Sequence, residues 1–167
     1  MVKHKLATLA YIVCNDEVLL LFRNKKDKDF HEGKYIGIGG RLEPGETPIE
    51  CIIRELEEET GYSLKPEEIE FRGYIYFDEI NRDKINEDLP AFNWLVFLYY
   101  VQVANKIEFE NPEGNLSWVP INKIPYEKMW DGDKIFTPKL LNTCDVVEAK
   151  FLYDKEKIVN WSFGRDT

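Results

Sequence analysis

The sequence predicts an α/β fold, a mixed central sheet covered by helices on both faces. Two observations carry this. Strand-like runs lie on both sides of one helix whose ends are both specified, and a second helical stretch comes near the C-terminus. The 167 residues suit one domain spanning 1–167, large enough to bury about two-thirds of the chain's surface. At 44% hydrophobic, 32% charged and 14% aromatic residues, the chain is neither disordered nor fibrous.

In chain order, Leu6–Cys14 and Val18–Phe22 are apolar runs joined by Asn15-Asp16-Glu17, the pattern of a β-hairpin. A charged loop, Arg23 to Asp29, leads into Gly33-Lys34-Tyr35-Ile36-Gly37-Ile38-Gly39-Gly40. Glycines this dense mark tight turns or backbone held close to a ligand. After the Pro44-Gly45 turn, Ile49, Ile52, Ile53 and Leu56 recur at helical spacing, which predicts a helix over Pro48–Thr60. Thr47 with Glu50 three residues on supplies the N-terminal cap, and Gly61 the stop. Ile69–Phe77 and Phe92–Val103 read as long strands, separated by a polar insert, Asp78–Pro90. Leu116–Val119 is a short strand, Pro120–Trp130 holds a helical turn or two, and Lys134–Thr143 is a helix. Val146–Tyr153 and Lys157–Phe163 close the chain as a second hairpin.

The net charge of -9 argues against nucleic acid or an anionic membrane as partner. No segment approaches the roughly 20 apolar residues of a membrane helix. The apolar stretch at Leu6–Cys14 leads into Asn15-Asp16 without a cleavage site for export. Cys14, Cys51 and Cys144 are too few and too scattered for a disulfide framework or a zinc site, so reduced thiols and a cytoplasmic setting are expected.

The chemistry is concentrated in Gly40-Arg41-Leu42-Glu43-Pro44-Gly45-Glu46 and, seven residues on, Arg54-Glu55-Leu56-Glu57-Glu58-Glu59-Thr60-Gly61-Tyr62. Glu55, Glu58 and Glu59 stand at i, i+3 and i+4, which predicts three carboxylates on one helix face, opposite Ile52 and Leu56. Clustered carboxylates offer an oxygen-ligand site for a hard cation, Mg²⁺ or Mn²⁺, and an anionic substrate would need that borrowed positive charge. Arg54 can hydrogen-bond the cluster and fix its rotamers, Glu46 reaches in from the loop, and the glycines let backbone oxygens approach the ion.

This arrangement, G-x5-E-x7-R-E-U-x-E-E-x-G-U with U a bulky apolar residue, is the Nudix box, and the chain resembles the Nudix hydrolases. Tyr62 departs from it, aromatic where an aliphatic residue is usual. The resemblance implies an α/β/α sandwich and metal-assisted hydrolysis of a nucleoside diphosphate linked to another group. It makes Glu55, Glu58 and Glu59 metal ligands, with Gly40 offering its carbonyl, and Glu55 or a neighbouring carboxylate accepting the proton of the attacking water. Arg54 and Glu46 assist. A downstream glutamate five residues before a tryptophan, here Glu113 before Trp118, is implied as a further ligand.

Arg23-Asn24-Lys25-Lys26, His31-Glu32-Gly33-Lys34-Tyr35 and Met129-Trp130-Asp131-Gly132-Asp133 are similar to the MutT/MutX branch, which hydrolyses oxidised purine triphosphates such as 8-oxo-dGTP. That likeness implies that Trp130 stacks on the purine and Asp133 reads its edge. Oxidation turns guanine N7 from acceptor to donor, and a carboxylate accepts only from the donor. Ile36 stands where some members carry a base-reading asparagine, and Gly132 replaces one of a pair of acids. Arg23 and its neighbouring lysines could meet the triphosphate. His4 and His31 are given no role. Other phosphoanhydride substrates (ADP-ribose, a dinucleoside polyphosphate, a nucleotide sugar) and a non-catalytic nucleotide sensor remain alternatives.

Overall fold

The computed structural model of the chain describes residues 3–27, 29–79 and 92–164. Its strands are β1 (Lys3–Cys14), β2 (Glu17–Arg23), β3 (Tyr35–Ile36), β4 (Ile69–Glu79), β5 (Phe92–Gln102), β6 (Gly114–Pro120), β7 (Val147–Asp154) and β8 (Lys157–Phe163). The helices are α1 (Pro48–Thr60) and α2 (Asp131–Asn142), and short 3-10 turns at Ile121–Lys123 and Tyr126–Lys128 fill the stretch before α2. Most of the expected insert, 80–90, lies outside the described residues, as does Lys28; Asp78 and Glu79 end β4.

The sheet runs β3-β2-β1-β5-β4-β7-β8, with β6 on β2. It is mixed, as expected: β1 with β5 and β4 with β7 pair in parallel, and the remaining pairs are antiparallel. Both hairpins form, and the turn residues Asn15 and Lys155 take positive φ of 53° and 59°.

The near-continuous apolar strands are explained by coverage on both faces. Alternate residues serve opposite cores. Tyr11, Val13, Val18 and Leu20 face α2, packing with Phe136, Leu140 and Phe151. Ala10, Ile12, Leu19 and Leu21 face α1, packing with Ile52 and Leu56. Each fully buried large side chain contributes about 1.5–3 kcal/mol.

A fork in the sheet sets up the site. β1 pairs with β2 only at its C-terminal end, Ile12 opposite Leu19 and Cys14 opposite Glu17. Its N-terminal half instead holds the glycine-rich stretch: Thr8 N–H donates to the Gly40 carbonyl at 2.8 Å, and Ala10 and Ile38 exchange bonds of 2.6 and 2.9 Å. Freed from β1, β2 takes β3 and, on its other edge, β6. The end of β2, the start of β6, the glycine stretch and α1 therefore converge.

Candidate active site

Helix α1 begins and ends as its sequence dictates. Thr47 and Glu50 form the capping box, Pro48 opens the first turn, and Gly61 closes the helix at φ 76°. Such a cap stabilises a helix by about 1 kcal/mol. Tyr62 has a local reason for departing from the box pattern: its hydroxyl donates to the Asn105 carbonyl at 2.7 Å and accepts from Ile107 N–H at 3.2 Å, tying the helix end to the loop after β5.

Arg54 organises the loop ahead of the helix. Its Nε and Nη2 grip both Glu46 oxygens at 2.6 and 3.0 Å, Nη1 donates to Glu55 at 2.8 Å and to Glu58 at 3.3 Å, and Nη2 also reaches the Arg41 carbonyl at 3.2 Å. A planar guanidinium suits this two-pronged grip where an ammonium would not. The Arg54 hydrogen bond, followed by one from Glu43 N–H, holds the Glu46 carboxyl down at about 2. Glu46 is thus the clamp on Arg54.

The three helix carboxylates do not share one environment. Ile52 and Glu59 are seven residues apart, nearly two turns, so Glu59 borders the buried stripe rather than opposing it. Burial, then Glu55 and Glu113, push its carboxyl up to about 8 against the opposing pull of Arg23 and Gly39 N–H. Glu55 is half-buried, and burial raises its carboxyl despite Arg54. Glu58, with 60% of its side chain exposed, turns to solvent. The expected single face opposite Ile52 and Leu56 is therefore corrected to two carboxylates at the edge of the core and one outside it.

Among the described residues no three carboxylate, imidazole or thiol groups converge closely enough to hold an ion as they stand. The donor set nonetheless fits a hard divalent cation. Glu55 and Glu59 are desolvated carboxylates that repel each other and resist ionising, a strain that a bound cation relieves. At Gly40 a Cβ would lie 2.2 Å from the Glu55 carboxylate, so a side chain there would push that carboxylate from its place. The Gly40 carbonyl, expected to face an ion, is turned to β1, where Thr8 N–H donates to it.

Glu113 stands on the far wall, near enough to Glu59 to raise its carboxyl. Arg23 and Lys26 both pair with Glu113, and Arg23 Nε also donates to Asp29. Sequence reasoning assigned no role to Asn111, which is buried, accepts Glu113 N–H at 2.7 Å and donates to the Glu59 carbonyl at 3.0 Å. It locks the Glu113 loop to the end of α1. Of the lysines beside Arg23, Lys25 donates to the Asn111 carbonyl at 2.9 Å. These cations build the wall of the site. The Arg41 guanidinium lies 5.4 Å from the centre of the Trp94 ring.

Trp130 and Asp133 meet at the start of α2. The helix begins at Asp131, three residues earlier than the sequence predicted, because Asp133 sits at the third helical position and accepts the Trp130 backbone N–H. Burial, opposed by that bond and by Lys34, raises the Asp133 carboxyl to about 7. Gly132 has a packing reason to lack a side chain: its N–H donates to Tyr153 Oη at 3.0 Å, and a Cβ would lie 2.8 Å from that oxygen. Around the indole, Phe30 stacks at 4.8 Å, the Lys34 ammonium lies 4.5 Å from the ring centre, and Nε1 donates to His31 Nδ1 at 2.8 Å.

Fold and site set a glutamate-bearing helix behind a glycine loop, and the comparisons give the class, a Nudix pyrophosphohydrolase. The NUDIX domain profile matches residues 3–140, and the chain belongs to the Nudix family. It is 30% identical over 137 residues to the "Oxidized purine nucleoside triphosphate hydrolase" of Danio rerio, covering 82% of this chain and 80% of that protein. The Mus musculus protein of the same name is 25% identical over 95% of this chain and 93% of its own length. In fold, the chain is similar to the MutT protein from Bacillus halodurans, with a TM-score of 0.79 at 23% identity, covering 98% of this chain and 99% of that one.

Proposed function

We propose that residues 1–167 form a single Nudix domain that hydrolyses free purine nucleoside triphosphates, oxidised ones such as 8-oxo-dGTP foremost, to the monophosphate and pyrophosphate. The observation that carries the choice of substrate is that Trp130 and the buried Asp133 carboxyl share the start of α2, Asp133 accepting the Trp130 backbone N–H. The ionised carboxylate accepts from the N7–H of an oxidised guanine and repels the bare N7 of guanine. The likeness, over 82% and 95% of this chain, to relatives named for oxidised purine triphosphates supports the same reading.

Glu55, Glu58 and Glu59, with Glu113 opposite, would hold Mg²⁺ or Mn²⁺. When bound, the ion would neutralise phosphoryl oxygens and lower the pKa of water. Arg54 keeps Glu46 and Glu55 in place through four hydrogen bonds, two to Glu46, one to Glu55 and one to the Arg41 carbonyl. Glu55 or a neighbouring carboxylate accepts the proton of the attacking water. Arg23 donates Nε to Asp29 and Nη1 to Glu113, and among the described residues Nη2 is left to meet a phosphoryl oxygen. We place the protein in the cytoplasm, a reading supported by its free cysteines, two of them buried. Among the described residues no helix is long and apolar enough to cross a membrane.

A panel of nucleotides assayed with Mg²⁺ for pyrophosphate release in ¹⁸O-labelled water tests this reading and locates the attacked phosphorus. The wild type should prefer 8-oxo-dGTP over dGTP in kcat/KM, and Asp133→Asn should narrow that preference by about ten- to a hundredfold with dGTP little changed. An equal loss on both would give Asp133 a structural role. No preference in the wild type would favour another Nudix substrate.

A further inference from the structure

His31 belongs to the segment that connects β2 to β3, and 99 positions separate it from Trp130. The indole Nε1–H is a donor only, so the 2.8 Å bond requires a bare Nδ1 and places the imidazole hydrogen on Nε2. Burial, reinforced by Arg23, lowers the imidazole to about 4 and keeps it a neutral acceptor. The rings meet edge-on at 5.8 Å and 82°, while Phe30 is edge-on to His31 at 5.1 Å and stacked on Trp130.

The histidine is itself anchored. Its backbone N–H donates to one Asp29 oxygen at 3.2 Å, Arg23 Nε donates to the other, and Arg23 Nη1 pairs with Glu113. An unbroken polar chain, Glu113 to Arg23 to Asp29 to His31 to Trp130, therefore connects the wall of the carboxylate site with the indole. A ring whose N–H is held by a fixed acceptor has already lost the rotational freedom that stacking would cost it.

We propose that His31 is a positioning residue for nucleotide binding: by accepting the indole N–H it fixes the Trp130 ring as the platform on which the nucleobase stacks, in the place that the exposed Phe30 ring takes in the free protein. This rests on the reading that Trp130 meets the base. Because the effect is preorganisation, it appears in KM and leaves the chemical step at the carboxylates alone.

The test compares His31→Leu, which fills the space without an acceptor, with His31→Asn, whose Oδ1 can stand where Nδ1 does, each in the wild-type and Trp130→Phe backgrounds. Kinetics use the best nucleotide of the panel. The Trp130 indole resonance is assigned in ¹⁵N spectra as the one missing from Trp130→Phe. His31→Leu should shift that resonance and raise KM about tenfold with kcat within about twofold, the loss of one well-formed hydrogen bond. His31→Asn should recover most of the KM, and His31→Leu should add nothing in the Trp130→Phe background. An unchanged KM in His31→Leu, or a loss that adds in full to that of Trp130→Phe, overturns the proposal. Trp130→Ala separates this from failure of the functional reading. If it leaves KM unchanged, Trp130 is not the base platform and both fall; if it raises KM while His31→Leu does not, only the role of His31 falls.

Discussion

Arg54 and Glu58 show how much one side chain's surroundings decide. Arg54 is committed to Glu46, Glu55, Glu58 and the Arg41 carbonyl, so its removal would disturb both loop and helix. Glu58 is mostly exposed and touches only Arg54 among the described polar partners, which makes it the cleaner probe of the chemistry. Glu58→Gln keeps the size and removes the charge. Turnover should fall about a hundred- to a thousandfold, the scale seen when a charge-stabilising group is lost, with the melting temperature unchanged. Near-wild-type kcat in this variant would remove Glu58 from the proposed ligand set.

The two helices differ in how openly the sequence announces them. The ends of α1 are local devices, and both fell where Thr47, Glu50, Pro48 and Gly61 put them. The N-terminus of α2 has no such side-chain cap; Trp130 occupies the cap position, and the signal is Asp133 bonding back to the Trp130 N–H from inside the fold. That geometry has a pH signature. The Asp133 carboxyl is raised from its ordinary value near 4 to about 7, so between these pH values the unfolded chain has released a proton that the native state still holds. Stability must therefore fall as pH rises across that window, by about 1–4 kcal/mol. Thermal melts from pH 4 to 8 should show the wild type losing ground relative to Asp133→Asn, whose amide does not titrate. Parallel curves for the two proteins would mean that Asp133 is ionised throughout.

For the molecule as a whole, charge balance matters most. A chain of net charge -9 gathers Glu55, Glu59 and Glu113 at the fork of its sheet, where Glu59 ionises only with difficulty. A divalent cation that binds there binds the native state alone. At about a hundred times its dissociation constant it contributes about 2.7 kcal/mol, or roughly 5–10 °C in melting temperature for a chain of this size. Melts with Mg²⁺ and with EDTA should differ by that much, and Glu59→Gln should shrink the difference. No shift at saturating Mg²⁺ would contradict a cation site formed in the free protein.

By itself the sequence determined the helix that carries the glutamates and the hairpins at each end, because caps, turn residues and apolar periodicity act within a few residues of one another, and the spacing of its box residues pointed to the family. It also marked Arg54 as the residue that would orient the acids. Only the tertiary structure decided which glutamates are desolvated, since that depends on what the facing strands and the Glu113 loop lay against α1. It alone turned the Gly40 carbonyl to Thr8 and Arg23 to Asp29 and Glu113. The contacts of Asn111 with the Glu59 carbonyl and of His31 with the Trp130 indole were likewise invisible, because they join residues 52 and 99 positions apart and no spacing rule connects them.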